Sequence, residues 1–150
     1  MEKTFIAIKP DGVKRGLIGR IINRFEDKGY KIIGLKMINP TLEIASQHYQ
    51  EHKDKPFYKD LINYLTSGPI IAMVLEGENV INGSRQIMGC TCPDDADVGT
   101  IRADFARVTR FNVIHGSDSV ESAKREIAIY FNENELCTNY KNIIEMFEYK

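Results

Sequence analysis

The sequence has no tryptophan and contains only three histidines and three cysteines in 150 residues. Because Cys90, Cys92 and Cys137 are odd in number, we expect reduced thiols rather than the paired framework of secreted proteins. No apolar stretch approaches the length needed to cross a bilayer. Residues 1–4 also lack the basic segment that opens a secretory signal. We therefore expect a cytoplasmic protein that does not associate with membranes.

No strong excess of charge is present either, since 20 basic residues face 21 acidic ones. This balance does not favour broad binding to nucleic acid or membrane surfaces, although it leaves room for a local basic pocket. Apolar residues at 43% and charged residues at 27% are ordinary globular values, which argues against disorder. No linker, repeat or low-complexity segment divides the chain. We predict a single domain over residues 1–150.

Several common catalytic motifs are also missing. Without a Gly-Lys dipeptide there is no Walker A loop, and the spacing of Gly12, Gly16 and Gly19 misses the dinucleotide fingerprint. Residues 116–119 do not form a Gly-x-Ser-x-Gly elbow, so a serine hydrolase is not expected. The Cys-Thr-Cys segment at 90–92 has no second pair at ligand spacing, which favours two ordinary loop residues over a metal site.

The segments that are present alternate between strand-like and helix-like patterns. β-Branched and aromatic content bounded by turn signals predicts strands at 4–9, 30–38 and 70–76, with a last short strand ending at 113–114. Apolar spacing predicts helices at 17–28, 42–53, 57–65 and 79–88. Gly29 is the expected cap of the first of these helices. This order predicts an α+β sandwich, in which helices pack on one sheet.

A last helix is predicted after Ser119, which can cap its N-terminus. Its expected inner face comprises Val120, Ala123, Ile127 and Tyr130. Between the fourth and this last helix, residues 90–100 form a polar loop rich in Asp, Pro and Gly. Loops of this kind often carry function on a rigid scaffold.

The three histidines occupy different settings. His48 and His52 have the four-residue spacing of a helical metal pair, but no His-Glu-x-x-His pattern, so we interpret them as a solvated helix face. His115 lies where the last strand ends, before a glycine and a capped helix whose N–H groups favour anions. Imidazole is partly neutral at pH 7 and can attack phosphorus. By itself such a histidine is also compatible with a structural role.

Three basic residues lie beside predicted turns or on a helix. Lys9 precedes a Pro-Asp-Gly turn, Arg85 is on a helix, and Arg102 follows a Gly-Thr-Ile segment. If the fold brings them together they can hold phosphate oxygens, and if it does not they are ordinary surface charges. Sequence spacing alone leaves both interpretations open.

Short motifs then occur in order along almost the whole chain. Residues 112–118 read Asn-x-x-His-Gly-Ser-Asp, and residues 119–127 read Ser-x-Glu-Ser-Ala-x-x-Glu-Ile. Further characteristic segments stand at 4–13, 48–49, 55–57, 67–69 and 99–102. In these motifs and their spacing the chain resembles the nucleoside diphosphate kinases, and so many ordered matches make the resemblance specific.

The resemblance implies a ferredoxin-like βαββαβ antiparallel sheet covered by helices, with an extra helical pair and a C-terminal tail. It implies a ping-pong reaction, in which His115 takes the γ-phosphate of a nucleoside triphosphate and passes it to a nucleoside diphosphate. It further implies little selectivity for the base. Mg²⁺ is expected on the nucleotide phosphates rather than in a protein cage.

The same resemblance assigns roles to individual residues. Glu126 matches the glutamate that bonds the other ring nitrogen of His115 and so fixes its tautomer, and Ser117 matches the serine beside the histidine. Phe57 matches the aromatic that stacks on the base. The residues implied to hold the phosphates are Lys9, Tyr49, Arg85, Thr91 and Arg102, where Lys9 also counts as catalytic. Asn112 and Lys9 match residues near the ribose hydroxyls.

A symmetric homo-oligomer, most often a hexamer in such relatives, is also implied, with contacts expected from residues 90–100 and 136–150. The chain departs from its relatives in a few places. Val98 stands where proline is common, Cys90 and Cys92 flank Thr91, and residues 109–111 replace a glycine and a basic residue. Thr109 falls on a position that lines the base site. None of the implied catalytic positions is altered.

Two other functions remain open at this point. The same fold class hosts RNA-binding modules, which use strand aromatics and a basic face. A scaffold that has lost catalysis is the other, although His115 and Glu126 are both present. Nucleic acid is not expected to be required.

Overall fold

The computed structural model describes residues 1–148. At its centre four antiparallel strands form one sheet in the order β2-β3-β1-β4. The strands are β1 (Glu2–Ile8), β2 (Lys31–Ile38), β3 (Ile70–Gly77) and β4 (Ile114–Gly116). Helices connect β1 to β2 and β3 to β4, as in the ferredoxin-like arrangement. The predicted fold class is confirmed.

Eight α-helices accompany the sheet in the described part of the chain. They are α1 (Pro10–Lys14), α2 (Ile18–Lys28), α3 (Leu42–His48), α4 (Tyr58–Leu65), α5 (Val80–Met88), α6 (Ile101–Phe105), α7 (Val120–Tyr130) and α8 (Glu145–Glu148). Helices α3 and α4 are the extra pair, inserted between β2 and β3. None of the described helices has the length and apolar content required to cross a membrane.

Helices cover both faces of the sheet at its central strand β1, whose alternate residues point to opposite sides. Ile6 and Ile8 pack with α2 and α5 in one core, while Phe5 and Ala7 pack with α3, α4 and α7 in the other. Strand β3 is buried along its whole length, which explains its continuous apolar sequence. Two buried faces hold the sheet rigid, so the ends of its strands can position side chains accurately.

Three short helices, α1, α6 and α8, were not predicted from the sequence. Helix α1 was interpreted as a turn because it starts at Pro10, yet proline is common in the first turn of a helix. Helix α6 begins after Thr100, whose side chain accepts a hydrogen bond from the amide of Ala103.

Gly29 caps α2 in the left-handed conformation, at φ 97°, as the sequence predicted.

The predicted inner face of α7 is partly wrong. Ser119 does cap the helix, but Val120 is 46% exposed, whereas Glu126 is buried together with Ala123 and Tyr130. With 3.6 residues per turn, the face centred on these three residues points about 90° away from Val120. The helix is rotated so that a carboxylate, not a fourth apolar group, reaches the interior.

The C-terminal tail is fastened to β2 and β3 by a buried lysine. The Nζ of Lys31 lies 3.0 Å from a carboxylate oxygen of Glu76 and 3.1 Å from one of Glu145, and it donates to the carbonyl of Tyr140 at 2.7 Å. Of the segment 136–150 that the sequence assigned to subunit contacts, Tyr149 and Lys150 lie outside the described residues.

Candidate active site

A cleft of about 280 Å³ opens beside β4, between α3 and α7 on one side and the turns that precede α1 and α6 on the other. Eight of the ten residues that the sequence singled out line this cleft. They are Lys9, Tyr49, Arg85, Thr91, Arg102, Asn112, His115 and Glu126. The fold therefore brings together side chains that are more than 100 residues apart in sequence.

Sheet register places His115 in the cleft. It is the middle residue of β4, opposite Ala7 of β1, so the sequence was wrong to set it after the strand end. Directly opposed residues point to the same face of a sheet. Ala7 faces the core under α3 and α7, and its small side chain leaves space for the imidazole. His115 consequently meets residues from both of these helices.

The backbone just before β4 is strained. Val113 has φ 75°, a left-handed conformation that is uncommon for a β-branched residue. The turn separates Asn112, which faces the cleft, from Ile114, which is buried in the core. The carbonyl of Val113 accepts a hydrogen bond from the amide of Lys9 at 2.8 Å. This bond ties the start of α1 to β4.

Glu126 holds the imidazole of His115 from behind. Its Oε1 lies 2.5 Å from Nε2 of His115 and accepts a second hydrogen bond, at 3.1 Å, from the hydroxyl of Ser117. That hydroxyl in turn accepts from the amide of Phe5 at 3.2 Å. An ionised carboxylate can only accept hydrogen bonds, so with Glu126 ionised Nε2 of His115 carries the proton and donates. The lone pair of Nδ1 is left for the cleft.

The surroundings of His115 keep its ring neutral. Burial, followed by the charges of Lys9, Arg102 and Arg85, lowers the pKa of His115 to about 3. Burial also raises the pKa of Glu126. Because the imidazole is unprotonated at neutral pH, its Nδ1 keeps a lone pair that can act as a nucleophile in the physiological range.

Four cationic side chains line the cleft: Lys9, Arg85 and Arg102, which the sequence singled out, and Arg125. Burial and the neighbouring Arg102 lower the pKa of Lys9 to about 8, and its Nζ donates to Oδ1 of Asn112 at 2.8 Å. Arg102 donates to the carbonyls of Gly89 and Ile114 at 3.0 and 2.6 Å. The guanidinium of Arg85 makes no hydrogen bond or ion pair with the described residues. Like charges held this close to one another favour an anionic ligand.

Asn112 and Thr91 join the two walls of the cleft. The Nδ2 of Asn112 donates to the carbonyl of Thr91 at 3.2 Å, while its Oδ1 accepts from Lys9. Both hydrogen-bonding functions of the amide are therefore used by the protein. Cys90 and Cys92 flank Thr91 without lining the cleft, and both are free thiols.

Two predicted site residues do not line the cleft. Ser117 is 1% exposed and lies behind Glu126, so it positions the carboxylate rather than touching a ligand. Phe57 is 46% exposed, and its ring centroid is 5.7 Å from that of His52, which lines the cleft. The phenyl ring thus stands just outside the cleft, next to its edge.

The interpretation of His48 as part of a solvated helix face is wrong. His48 is 5% exposed and lines the cleft, and its ring centroid is 4.5 Å from that of His115. His48 follows the buried Ala45 by three residues, and this spacing was the signal that placed it on the inner face of α3. Arg125 also lines the cleft and was not singled out, although it precedes Glu126.

Neither a metal-ligand cluster nor an RNA-binding surface is evident among the described residues. Among residues 1–148 no group of three or more His, Cys, Asp or Glu side chains is placed to hold a metal ion. An RNA-binding sheet would present several aromatic rings to solvent, but Phe5, the one Phe, Tyr or Trp of the four strands, is fully buried.

Fold and site together define a class: an α+β phosphate-handling protein in which a neutral histidine faces a group of cations. Comparison with known proteins specifies this class further. The family model described as "Nucleoside diphosphate kinase" matches residues 2–136. The chain belongs to the nucleoside diphosphate kinase family.

Individual relatives agree with the family assignment. The chain is 60% identical over 136 residues to a nucleoside diphosphate kinase of Moorella thermoacetica, a match that covers 91% of this chain and 98% of the relative. Its fold matches a crystal structure of a nucleoside diphosphate kinase family protein from Babesia bovis, with a TM-score of 0.94, 46% identity and coverage of 98% and 99% of the two chains. The structure of a halophilic nucleoside diphosphate kinase from Halobacterium salinarum in complex with CDP matches with a TM-score of 0.94, 44% identity and 99% of both chains covered.

Proposed function

We propose that this protein is a nucleoside diphosphate kinase that works through a phosphorylated His115. The observation that carries the proposal is the free Nδ1 of a neutral imidazole, held by Glu126 in a cleft lined by Lys9, Arg85 and Arg102. Membership of the family supports the nucleotide donor and acceptor, and the geometry supports His115 as the nucleophile.

In the first half-reaction, the Nδ1 lone pair of His115 forms a bond to the γ-phosphorus of a nucleoside triphosphate. The bond between that phosphorus and the β,γ-bridging oxygen breaks, and the nucleoside diphosphate leaves with the electron pair. The imidazole becomes positively charged, and the carboxylate of Glu126 at Nε2 stabilises this charge. In the second half-reaction, a terminal oxygen of another nucleoside diphosphate attacks the phosphorus, the bond between phosphorus and Nδ1 breaks, and the electron pair returns to Nδ1, so that the ring is neutral again.

The cations stabilise the charge on the moving group. Phosphoryl transfer spreads negative charge over three oxygens, and catalysis consists mainly of positioning and electrostatic stabilisation. Lys9, Arg85 and Arg102 supply these charges, and Tyr49 and Thr91 supply hydroxyl donors on the same cleft walls. Lys9 and Asn112 are also the proposed contacts of the ribose hydroxyls. Mg²⁺ enters with the nucleotide as part of the substrate, where it neutralises phosphate charge.

Steady-state kinetics test this proposal. Because the protein holds the phosphoryl group between two separate encounters, initial rates measured against donor at several acceptor concentrations should give parallel double-reciprocal lines. Lines that intersect to the left of the ordinate would require both nucleotides to be bound at once, and would contradict the transfer through His115.

The pH dependence follows from the shifted groups. His115 is protonated only near pH 3, so acid should not deactivate the nucleophile between pH 8 and 5. Lys9 loses its proton as the pH rises through about 8, and with it the charge that holds phosphate. At saturating Mg²⁺, kcat/KM should therefore stay nearly constant around neutral pH and fall as the pH rises through about 8. In acid it should fall only as Glu126, whose pKa burial raises, takes up a proton. Lys9→Arg should move the alkaline fall to higher pH, because arginine stays protonated. A loss on acidification centred near pH 6.5 that persists in Glu126→Gln would contradict the neutral state of His115.

We further propose that Phe57 stacks on the nucleotide base. Its exposed ring stands at the outer edge of the cleft, and stacking accepts any base because every base has a π-face. Thr109, which the resemblance places at the base site, is exposed as well.

Base selectivity tests the role of Phe57. ATP, GTP, CTP and UTP should all serve as donors, with purines somewhat better. Phe57→Ala should lower kcat/KM for all four, purines most, by about tenfold, as expected for a stacking contribution of about 1–3 kcal/mol. Leu42→Ala, which removes an exposed apolar side chain at the far end of α3, is the control. A hundredfold preference of the wild type for one base would mean that base edges are read.

The assembly and location proposed for the protein rest on the family. We propose a cytoplasmic homo-oligomer, most consistent with a hexamer, whose contacts involve residues 90–100 and the tail from 136. Val98 is 99% exposed in the single chain, which leaves it available for such a contact. Mass measurement in solution at micromolar concentration should give six times the 17.1 kDa of one chain. A monomeric mass would contradict the assembly but not the catalytic proposal.

A further inference from the structure

His48, the last residue of α3, is a buried polar side chain to which the mechanism above gives no role. Its ring packs edge-on against two residues of the cleft: the centroid distances are 4.5 Å to His115 and 4.6 Å to Tyr49. It lines the cleft although only 5% of the residue is exposed. A buried imidazole beside the proposed nucleophile needs a physical account.

Tyr130 determines which nitrogen of His48 carries the proton. The Tyr130 hydroxyl lies 2.9 Å from Nδ1 of His48, and the phenol is held in place by stacking on Phe5 at a centroid distance of 4.5 Å. Burial raises the pKa of Tyr130, so the phenol keeps its proton. No other acceptor for that proton is present in the described part of the chain, and a buried O–H without an acceptor is costly. Tyr130 therefore donates, Nδ1 accepts, and Nε2 of His48 carries the hydrogen.

The Nε2–H of His48 is open to the cleft. It has no hydrogen-bond partner in the structure of residues 1–148. Within those residues, the buried side-chain polar atoms that lack a hydrogen-bond partner are the hydroxyls of Thr4 and Ser84. Nε2 of His48 also lacks a partner but is not one of these atoms, so it is in contact with solvent. Because the cleft is the part of the surface that His48 lines, this donor is available there to a ligand.

His48 is neutral as well. Burial lowers its pKa well below 6.5, the neighbouring His115 ring and the charges of Lys9 and Arg125 act in the same direction, and the opposing charge of Glu126 does not reverse this. The groups that face it from neighbouring elements are thus mostly cationic. A neutral donor next to His115 can bind a phosphate oxygen without placing a further cation beside the nucleophile.

We propose that the Nε2–H of His48 donates a hydrogen bond to the phosphoryl group as it moves between the nucleotide and Nδ1 of His115. The inference rests on the proposed function and extends it. The donor comes from α3, whereas Lys9, Arg85 and Arg102 approach from the β1–α1 turn, α5 and α6. Tyr130 is the positioning residue of this pair, since it acts only through the tautomer of His48.

Substitutions at position 48 separate the donor from the packing. His48→Gln keeps an N–H near the position of Nε2, His48→Asn keeps one only near Nδ1, and His48→Phe keeps the ring volume with no donor. We expect the rate of phosphorylation of His115 to fall by about tenfold or more in Phe and Asn, and by less than about threefold in Gln. Equal losses in all three variants, or no loss in any, would overturn the proposal.

Spectroscopy adds a readout that packing alone would not change. The ³¹P resonance of phosphorylated His115 should shift in His48→Phe and stay near its wild-type position in His48→Gln. Nitrogen-15 spectra of the unphosphorylated protein should show the Nε2–H tautomer of His48, and Tyr130→Phe should give a mixture of tautomers. The matched control is Tyr140→Phe, which removes a tail hydroxyl that donates to the carbonyl of Ile32 in β2.

These measurements distinguish the two proposals. A wild-type protein that takes no phosphate at all refutes the proposed function, and the tautomer spectra still report on His48. If the wild type is phosphorylated, an unchanged ³¹P resonance and rate in His48→Phe would overturn the role of His48 alone. Should His48→Phe fail to fold, Tyr130→Phe and His48→Gln against the wild type decide the matter.

Discussion

Replacement of His115 by alanine should abolish both phosphorylation and nucleotide turnover. The methyl group offers no nucleophile, and the other two imidazoles of the cleft have no free lone pair: Nδ1 of His48 accepts from Tyr130, and Nδ1 of His52 accepts from Nζ of Lys55 at 3.0 Å. We expect a loss of at least about 10⁴-fold, the scale seen when an enzyme loses its nucleophile. After incubation with γ-labelled ATP and Mg²⁺, wild-type protein should carry a phosphate that is labile in acid and stable in alkali, and His115→Ala should carry none.

The control for this variant is a thermal unfolding measurement, which shows whether the protein is still folded. His115 has a side chain that is 24% exposed and lies at the edge of the core, so His115→Ala should retain its thermal transition. Label that persists in a folded variant would show that another residue accepts the phosphate. Label on serine, which is stable in acid, would exclude the histidine mechanism outright.

Replacement of Glu126 by glutamine should keep the fold and slow phosphoryl transfer by about tenfold or more. The amide is isosteric, but it is neutral and so stabilises the developing imidazolium less than the carboxylate does. Its NH₂ group can also face Nε2, where it would disturb the tautomer. Tenfold corresponds to about 1.4 kcal/mol of transition-state stabilisation. The measurement is the single-turnover rate of phosphorylation at saturating ATP.

Two further variants make this result specific. Glu121→Gln removes an exposed carboxylate from the same helix and should leave the rate unchanged. Ser117→Ala removes one hydrogen bond to Glu126, and should slow transfer by less than Glu126→Gln does, because the charge remains. If Glu126→Gln reacts at the wild-type rate, the carboxylate is only a buried structural group.

Local sequence patterns anticipated the sheet but not the details that form the site. Strand content and turn signals located β1, β2 and β3 to within two residues, because their β-branched and apolar composition is bounded by turn residues. Helix α1 was missed because Pro10 signals a turn and a helix start alike. Only the surrounding structure distinguishes these two uses.

The clustering of the site depends on register, which local patterns do not encode. His115 reaches the cleft because Ala7 lies opposite it, and no feature near residue 115 reveals that pairing. The resemblance to a family supplied the list of site residues that spacing could not supply. It placed Ser117 beside His115 without showing that the hydroxyl turns away from the cleft toward Glu126.

His48 and Val120 show errors in the burial that was predicted from the sequence. Composition assigned a histidine to the solvent and a valine to the interior, and the structure reverses both. In each case a polar side chain takes a buried position because a specific hydrogen-bond partner is present, Tyr130 for His48 and Ser117 for Glu126. Such exchanges are frequent at functional sites, where polarity serves chemistry rather than stability.

The most direct test of the central claim uses the isolated phosphoprotein. Wild-type protein is incubated with γ-labelled ATP and Mg²⁺, freed of nucleotide, and mixed with an unlabelled nucleoside diphosphate in a single turnover. A nucleoside diphosphate kinase that works through His115 should transfer the whole label to the terminal position of a new triphosphate, and should do so fast enough to account for steady-state turnover. Label that stays on the protein, or that appears as inorganic phosphate, would contradict the account, and a protein that takes up no label at all would favour a scaffold that has lost catalysis.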